Sequence, residues 1–209
     1  MTLHRSFLAF VAASLLPAAA LASPDNDDHF EGTMGFLVTR EDHRTTGFVG
    51  AGDAAPLVDT FRGAPYEATL GMGLRYDLRL TLSHVRMTAG FDLPFTALGD
   101  AAVRRVDGHE VAPRALQSWG VRLGLGAEYP IGRVTPFADL QGSILQTATT
   151  LTVDGRNAEY SATRFGFSVR GGAQVRLRRW FFVSVAGEYG ITGATRWGAD
   201  LAVGFRVGS

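Results

Sequence analysis

The stretch Ser118-Trp119-Gly120-Val121-Arg122-Leu123-Gly124-Leu125-Gly126-Ala127-Glu128-Tyr129 alternates without a break. Trp119, Val121, Leu123, Leu125, Ala127 and Tyr129 fall on one side, and Ser118, Gly120, Arg122, Gly124, Gly126 and Glu128 on the other. A period of two is the mark of a β-strand whose two faces meet different surroundings. The same rhythm runs through Tyr66–Asp77, Phe165–Arg176, Phe181–Ile191 and Trp197–Val207, and less regularly through Phe30–Arg40, Arg79–Asp92 and Val134–Gln146. Together these segments make eight strands, and none of the rest carries a helical stripe.

The connections alternate as well. Asp77–Arg79, Pro130–Arg133 and Leu177–Arg179 read as tight turns, and Glu41–Pro65 and Leu93–Ala115 as long loops. Thr147–Glu159 reads as an intermediate loop and Thr192–Arg196 as a short one. Short turns at one end and longer loops at the other are the layout of an outer-membrane β-barrel. The expected fold is therefore all-β: a closed, antiparallel, eight-stranded up-and-down transmembrane barrel.

The assignment of faces follows from where the charge sits. A soluble barrel keeps its apolar face inside, whereas here the charges recur on the glycine-rich face, and the apolar face is edged with aromatics. Glu67, Arg75, Arg86, Arg122, Glu128, Asp139, Arg170, Glu188, Asp200 and Arg206 are the expected lumen ion pairs. An eight-stranded interior is just wide enough for side chains to fill, and strand glycines would leave room for long Arg and Glu neighbours. Tyr66, Tyr76, Trp119, Tyr129, Phe181, Tyr189, Trp197 and Phe205 are the expected aromatic girdles. Tyr66 and Tyr76 lie ten residues apart, as do Trp119 and Tyr129. Ten residues of a strand tilted by ~40° rise roughly 26 Å, close to the height of the apolar band of such barrels.

Composition narrows the functions. The 209 residues carry 20 basic side chains, all arginine, against 20 acidic ones, and no cysteine. The balance excludes a basic nucleic-acid binder. The missing thiol excludes disulfides, zinc–thiolate sites and a cysteine nucleophile. His29, His43, His84 and His109 show no ligand spacing, so no metal or cofactor is expected. Ser83 and His84 suggest a barrel-embedded lipid hydrolase as an alternative, but in this register they point to opposite faces. A narrow gated channel is the other alternative. Residues 1–22, with Arg5, an apolar run from Phe7 to Leu16 and Ala20-Leu21-Ala22, read as a secretory signal peptide cleaved before Ser23. Residues 23–29 read as a polar linker, and 30–209 as the barrel domain.

In Gly124-Leu125-Gly126-Ala127-Glu128-Tyr129-Pro130 and Thr135-Pro136-Phe137-Ala138-Asp139-Leu140, and in its layout from Phe30 to Val207, the chain resembles the small eight-stranded outer-membrane barrel family of OmpX-like and OmpA-like barrel domains. The resemblance implies insertion in the outer membrane of a Gram-negative cell by the outer-membrane assembly machinery. Such barrels usually end on an aromatic. Here Gly204-Phe205-Arg206-Val207 is followed by Gly208-Ser209, so Phe205 and Val207 are the expected substitutes. No helical periplasmic domain is expected to follow, hence no cell-wall anchoring. A filled lumen leaves function to the scaffold and to loops 41–65 and 93–115, facing an extracellular partner the sequence does not identify. The role expected is structural or surface-interacting and non-catalytic, with outer-membrane lipid as the surrounding partner.

Overall fold

A computed structural model describes residues 28–41, 49–51, 69–96, 104–106, 108–193 and 195–208. The leader, most of the linker, and Tyr66 and Glu67 lie outside the described residues. Ten strands are present: β1 (His29–Glu41), β2 (Val49–Ala51), β3 (Thr69–Leu82), β4 (Val85–Thr96), β5 (Arg104–Val106), β6 (His109–Glu128), β7 (Val134–Val153), β8 (Arg156–Arg176), β9 (Phe181–Thr192) and β10 (Thr195–Gly208). Eight of them close an antiparallel ring in the order β1-β3-β4-β6-β7-β8-β9-β10, with β10 back on β1 over thirteen paired positions. Closure leaves the ring itself without an open side, which is what a wall in hydrocarbon requires.

The faces are as the alternation dictates. Phe36, Leu123 and Phe165 are 74%, 72% and 73% exposed on the outside, while Arg86 and Arg170 are fully buried within. A chain that buries arginine and exposes phenylalanine is turned inside out relative to a water-soluble one. Lipid is the solvent that makes this arrangement favourable.

Three boundaries differ from the sequence reading. The turn expected at Asp77–Arg79 lies instead at Ser83-His84, so β3 runs on to Leu82 and β4 begins at Val85. A Leu-rich run, Leu78, Leu80 and Leu82, continues the outward face, and two residues with Ser83 at φ +59° suffice to reverse the chain. His84 is therefore an exposed turn residue, not a member of the inward set with Arg86, Thr88 and Asp92. Second, Leu93–Ala115 is mostly strand, since β4 runs to Thr96 and β6 starts at His109. Third, Thr147–Glu159 is not a loop. β7 and β8 continue to a two-residue turn at Asp154-Gly155, both at positive φ, and pair without interruption from Val134↔Val175 to Val153↔Arg156. Asp-Gly suits a turn that needs left-handed backbone at both central positions.

These extensions build a flap. β6, β7 and β8 have 20, 20 and 21 residues, against 12 to 14 for the other wall strands. Each of its free edges is covered over three residues: β5 pairs β6 at 109–111 and β2 pairs β8 at 159–161. Covering an exposed edge removes a template for unwanted strand pairing. Both covering strands come from the two segments read as long loops.

Candidate functional site

Every described member of the expected lumen set points inward, and the structure joins them into one network. Arg75 donates from Nε and Nη2 to both oxygens of Asp92 at 2.9 Å, from Nη1 to Asp200 at 3.0 Å and from Nη2 to Glu188 at 2.8 Å. Arg122 donates to Asp77 and Gln141 at 2.8 and 2.9 Å, and its Nε lies 2.8 Å from Asp92. Arg170 holds Asp200 at 2.7 Å and Asp77 at 3.0 Å. Three arginines from three strands thus lock four carboxylates of β3, β4, β9 and β10 across the barrel axis.

Toward the turn end the network continues through Arg206, Glu128, Arg86 and Asp139 of the expected set and through others outside it. Arg79, assigned to a turn in the sequence reading, lies on β3 and donates to Asp77 at 2.8 Å. Arg206 and Gln174 donate to Glu31 at 2.6 and 2.8 Å. His29, expected to end the linker, opens β1 and sits buried between Glu31 and Glu128 at 3.4 and 3.1 Å. Arg86 is held differently: it lies over the Phe137 ring at 3.8 Å, with Asp139 at 3.5 Å and Glu128 at 3.7 Å. Displacing the β3–β4 turn by six residues is what hid Arg79, and Phe137 was missed because an aromatic on the charged face breaks the simple pattern.

Two glycines show how the lumen makes room. A Cβ on Gly90 would stand 2.6 Å from Asp77 Oδ1 and 2.7 Å from Arg122 Nη2, in the middle of an ion pair. One on Gly204 would run into the Phe182 ring, so that glycine accommodates a buried ring, not a charged chain. Beside Glu41, Arg75, Asp92 and Glu188 lies a cavity of about 20 Å³, room for about one water. His29, Glu31 and Glu128 have ligand atoms within 4.8 Å of one another. The positive charge a metal would bring is already supplied there by Arg206 against Glu31 and Arg86 against Glu128.

Ser83 and His84, the residues behind the hydrolase alternative, are the turn itself. The Ser83 amide donates to Asp28 at 2.8 Å, and the His84 ring lies 5.4 Å from that of Tyr129. The acid brought to them, Asp28, accepts from the Ser83 backbone amide.

The aromatics form two groups on the outer wall. At the turn end Trp180 stacks on Phe205, and Phe181 lies beside both at 5.9 and 5.6 Å. At the other end Tyr189 pairs with Trp197 in register, and Trp119 lies 6.3 Å from Phe91. Tyr76 belongs to neither group. It stands mid-wall beside Met34 and Phe91, seven residues from Ser83, because the turn that would have put it at an edge lies further on. Trp180, unassigned in the sequence reading, takes an edge place.

The outward face changes character along the flap. Val121, Ile144 and Phe165 share one level, and the next level up is Trp119, Gln146 and Thr163. Beyond it β7 and β8 carry Ala148, Thr150, Thr152, Asn157, Glu159 and Ser161 on the same side. The tip is tied by Asp154, which accepts from His109 Nδ1 at 2.6 Å and from the Glu110 amide at 2.9 Å.

Comparison with known proteins gives a consistent answer. The family model "Outer membrane protein beta-barrel domain" matches residues 8–205. No curated protein matches the chain. Among solved structures, Neisserial surface protein A superposes with a TM-score of 0.52 at 10% identity, covering 86% of this chain and 97% of that one. Ail, the attachment invasion locus protein of Yersinia pestis, gives 0.49 at 12% identity, with 86% and 98% covered. At 10% identity the likeness to Neisserial surface protein A is one of fold.

Proposed function

The chain belongs to the outer membrane protein β-barrel family, and from that premise we propose that it is a non-catalytic structural and surface-interaction protein whose contacts are made by the flap and by loops 41–65 and 93–115. One observation carries this reading. The lumen is spanned by directly paired side chains, while three adjacent strands extend past the apolar wall and receive a short strand from each long connection. A plugged barrel with an elaborated outer rim invests its sequence outside the membrane. Trp180, Phe181 and Phe205 at the turn end, with Trp119, Tyr189 and Trp197 opposite, are the side chains we assign to the two lipid interfaces. The leader of residues 1–22 would deliver the chain to the periplasm of a Gram-negative cell. There the assembly machinery would read the end of β10, where Phe205 and Val207 face outward.

The test is loop replacement. Residues 42–68 and 97–108 are each exchanged for a short Gly-Asn turn, and folding is confirmed by the faster gel migration of the unboiled protein. Binding of cells to extracellular surfaces is then scored against the parent. The expected result is a folded barrel that no longer supports binding. If a folded double replacement keeps every binding and envelope phenotype, the loops carry no interaction.

A further inference from the structure

We propose that the acidic segment preceding β1 is a clasp: Asp25 and Asp27 cross the end of β10 and pair with Arg178 and Arg179 of the β8–β9 turn, holding shut the seam at which the ring closes. Among the described wall strands, β1 and β10 are the one neighbouring pair that no connecting segment joins directly. Every other pair in the ring is tethered by a turn or a loop. The seam relies instead on its ladder of backbone hydrogen bonds and on the Glu31–Arg206 pair.

The turn end is unevenly charged. Arg178 and Arg179 stand exposed in the β8–β9 turn, and no acidic residue occurs between Arg170 and Glu188. No ion pair joins either of them to a described residue. The complementary charge is close by. Residues 23–27, Ser-Pro-Asp-Asn-Asp, hold two carboxylates and no basic side chain, and they lead directly into Asp28. Register sets the distance. His29 pairs with Gly208, and the β9–β10 register, continued three positions beyond Phe205↔Phe181, sets Gly208 beside Arg178. The Arg206 amide, donating to the Trp180 carbonyl at 2.9 Å, keeps the turn at that level. Arg178 is therefore two strand spacings from His29, about 10 Å, whereas residues 23–27 reach roughly 17 Å when extended. Their root is fixed, because the Asp28 carboxylate accepts from the Ser83 amide at 2.8 Å. A further exposed arginine of the turn end, Arg133, stands beside β7, four strands from β1 on the opposite side of the ring. Proximity thus selects the β8–β9 turn. A single exposed ion pair contributes little, but two carboxylates on one short tether meet their arginines at high effective concentration.

The chain has no cysteine, so cross-linking pairs can be introduced cleanly. Asn26→Cys is combined with Leu177→Cys in one variant and with Ile131→Cys, in the β6–β7 turn, in another; Leu177 and Ile131 are both exposed. Each variant is purified from the membrane fraction in a zwitterionic detergent, and heat-modifiable migration establishes that it is folded. Under mild oxidation at low salt, the 26–177 disulfide is expected to form about tenfold faster than the 26–131 disulfide. Adding Asp25→Asn and Asp27→Asn, or 1 M salt, which shortens the screening length to ~3 Å, should lower the first rate to the second. Exchanging the charges, with Asp25→Arg and Asp27→Arg against Arg178→Asp and Arg179→Asp, should restore the fast rate at low salt. In the cysteine-free chain, Asp25→Asn with Asp27→Asn should speed urea unfolding about threefold at low salt and leave it unchanged at high salt. The clasp is overturned by equal rates for the two cysteine pairs, by a 26–177 rate indifferent to the aspartates, or by a charge exchange that fails to restore it. Intact mass of the same samples reads removal of residues 1–22 independently, since Asn26 is present whether or not the leader is cleaved.

Discussion

Arg75 and Arg86 are both buried arginines on the same inner surface, yet their surroundings differ. Arg75 meets three carboxylates at hydrogen-bond distance, whereas the Arg86 guanidinium rests on the Phe137 ring with its carboxylates at 3.5 Å and beyond. Removing one partner of a buried ion pair costs about 3–5 kcal/mol, because the other charge is left unmatched. Arg75→Met should therefore lower stability by about that much, and Arg86→Met by distinctly less. Urea unfolding of the lipid-reconstituted protein measures both, and equal losses would contradict the assignment of Arg75 as the centre of the plug. Gly90→Ala introduces a methyl between Asp77 and Arg122 and should cost about 1–3 kcal/mol by overpacking; a neutral result would mean the pair relaxes freely. Charge on a glycine-rich face was enough to find Arg75, Arg122, Arg170, Glu188 and Asp200 from the sequence. It did not reveal which carboxylate each arginine meets, since partners such as Arg75 and Asp200 are 125 residues apart and register alone brings them together.

Strands were legible where the alternation was clean, as in β6 and β10, and their ends were not. The β3–β4 turn lacks the Gly or Asn-Gly signal that marks a tight hairpin, and Ser83 takes up positive φ in its place. Ser83→Gly should remove a strain of about 1 kcal/mol, partly offset by the extra freedom of glycine in the unfolded chain, so a small rise in the urea midpoint is expected. The Asp154-Gly155 turn did carry its signal, but the Thr- and Ala-rich strands around it read as a loop because their outward face is polar. At that tip the hydrogen bond from His109, with the Glu110 amide next in importance, holds the Asp154 carboxyl below its ordinary value. A carboxyl whose folded value is lowered stabilises the folded form above about pH 4 and loses that contribution as pH falls through the lowered value. Protease cleavage or amide exchange at the flap tip should therefore be flat at neutral pH and accelerate below about pH 4. Asp154→Asn should abolish that acid step, and a step that survives in it would exclude Asp154 as the cause.

Over the whole molecule, the ion pairs of the described interior join six arginines to seven carboxylates, with His29 among them. With side chains paired directly across the barrel axis, no single-channel steps should appear when the purified protein is added to planar bilayers. Reproducible steps in the parent would show that the plug opens. The sealed interior has a further consequence, for biogenesis. Glu31 on the first wall strand is neutralised by Arg206 on the last, and Arg75 on the second by carboxylates of the final two. An incomplete ring leaves those charges unmatched, so every intermediate short of the full set of strands is penalised until the last hairpin arrives. Closure of such a wall is thereby favoured over any partly formed one. Its own electrostatics act as quality control, holding back any chain that is shortened, slipped by a residue, or joined to the wrong neighbour.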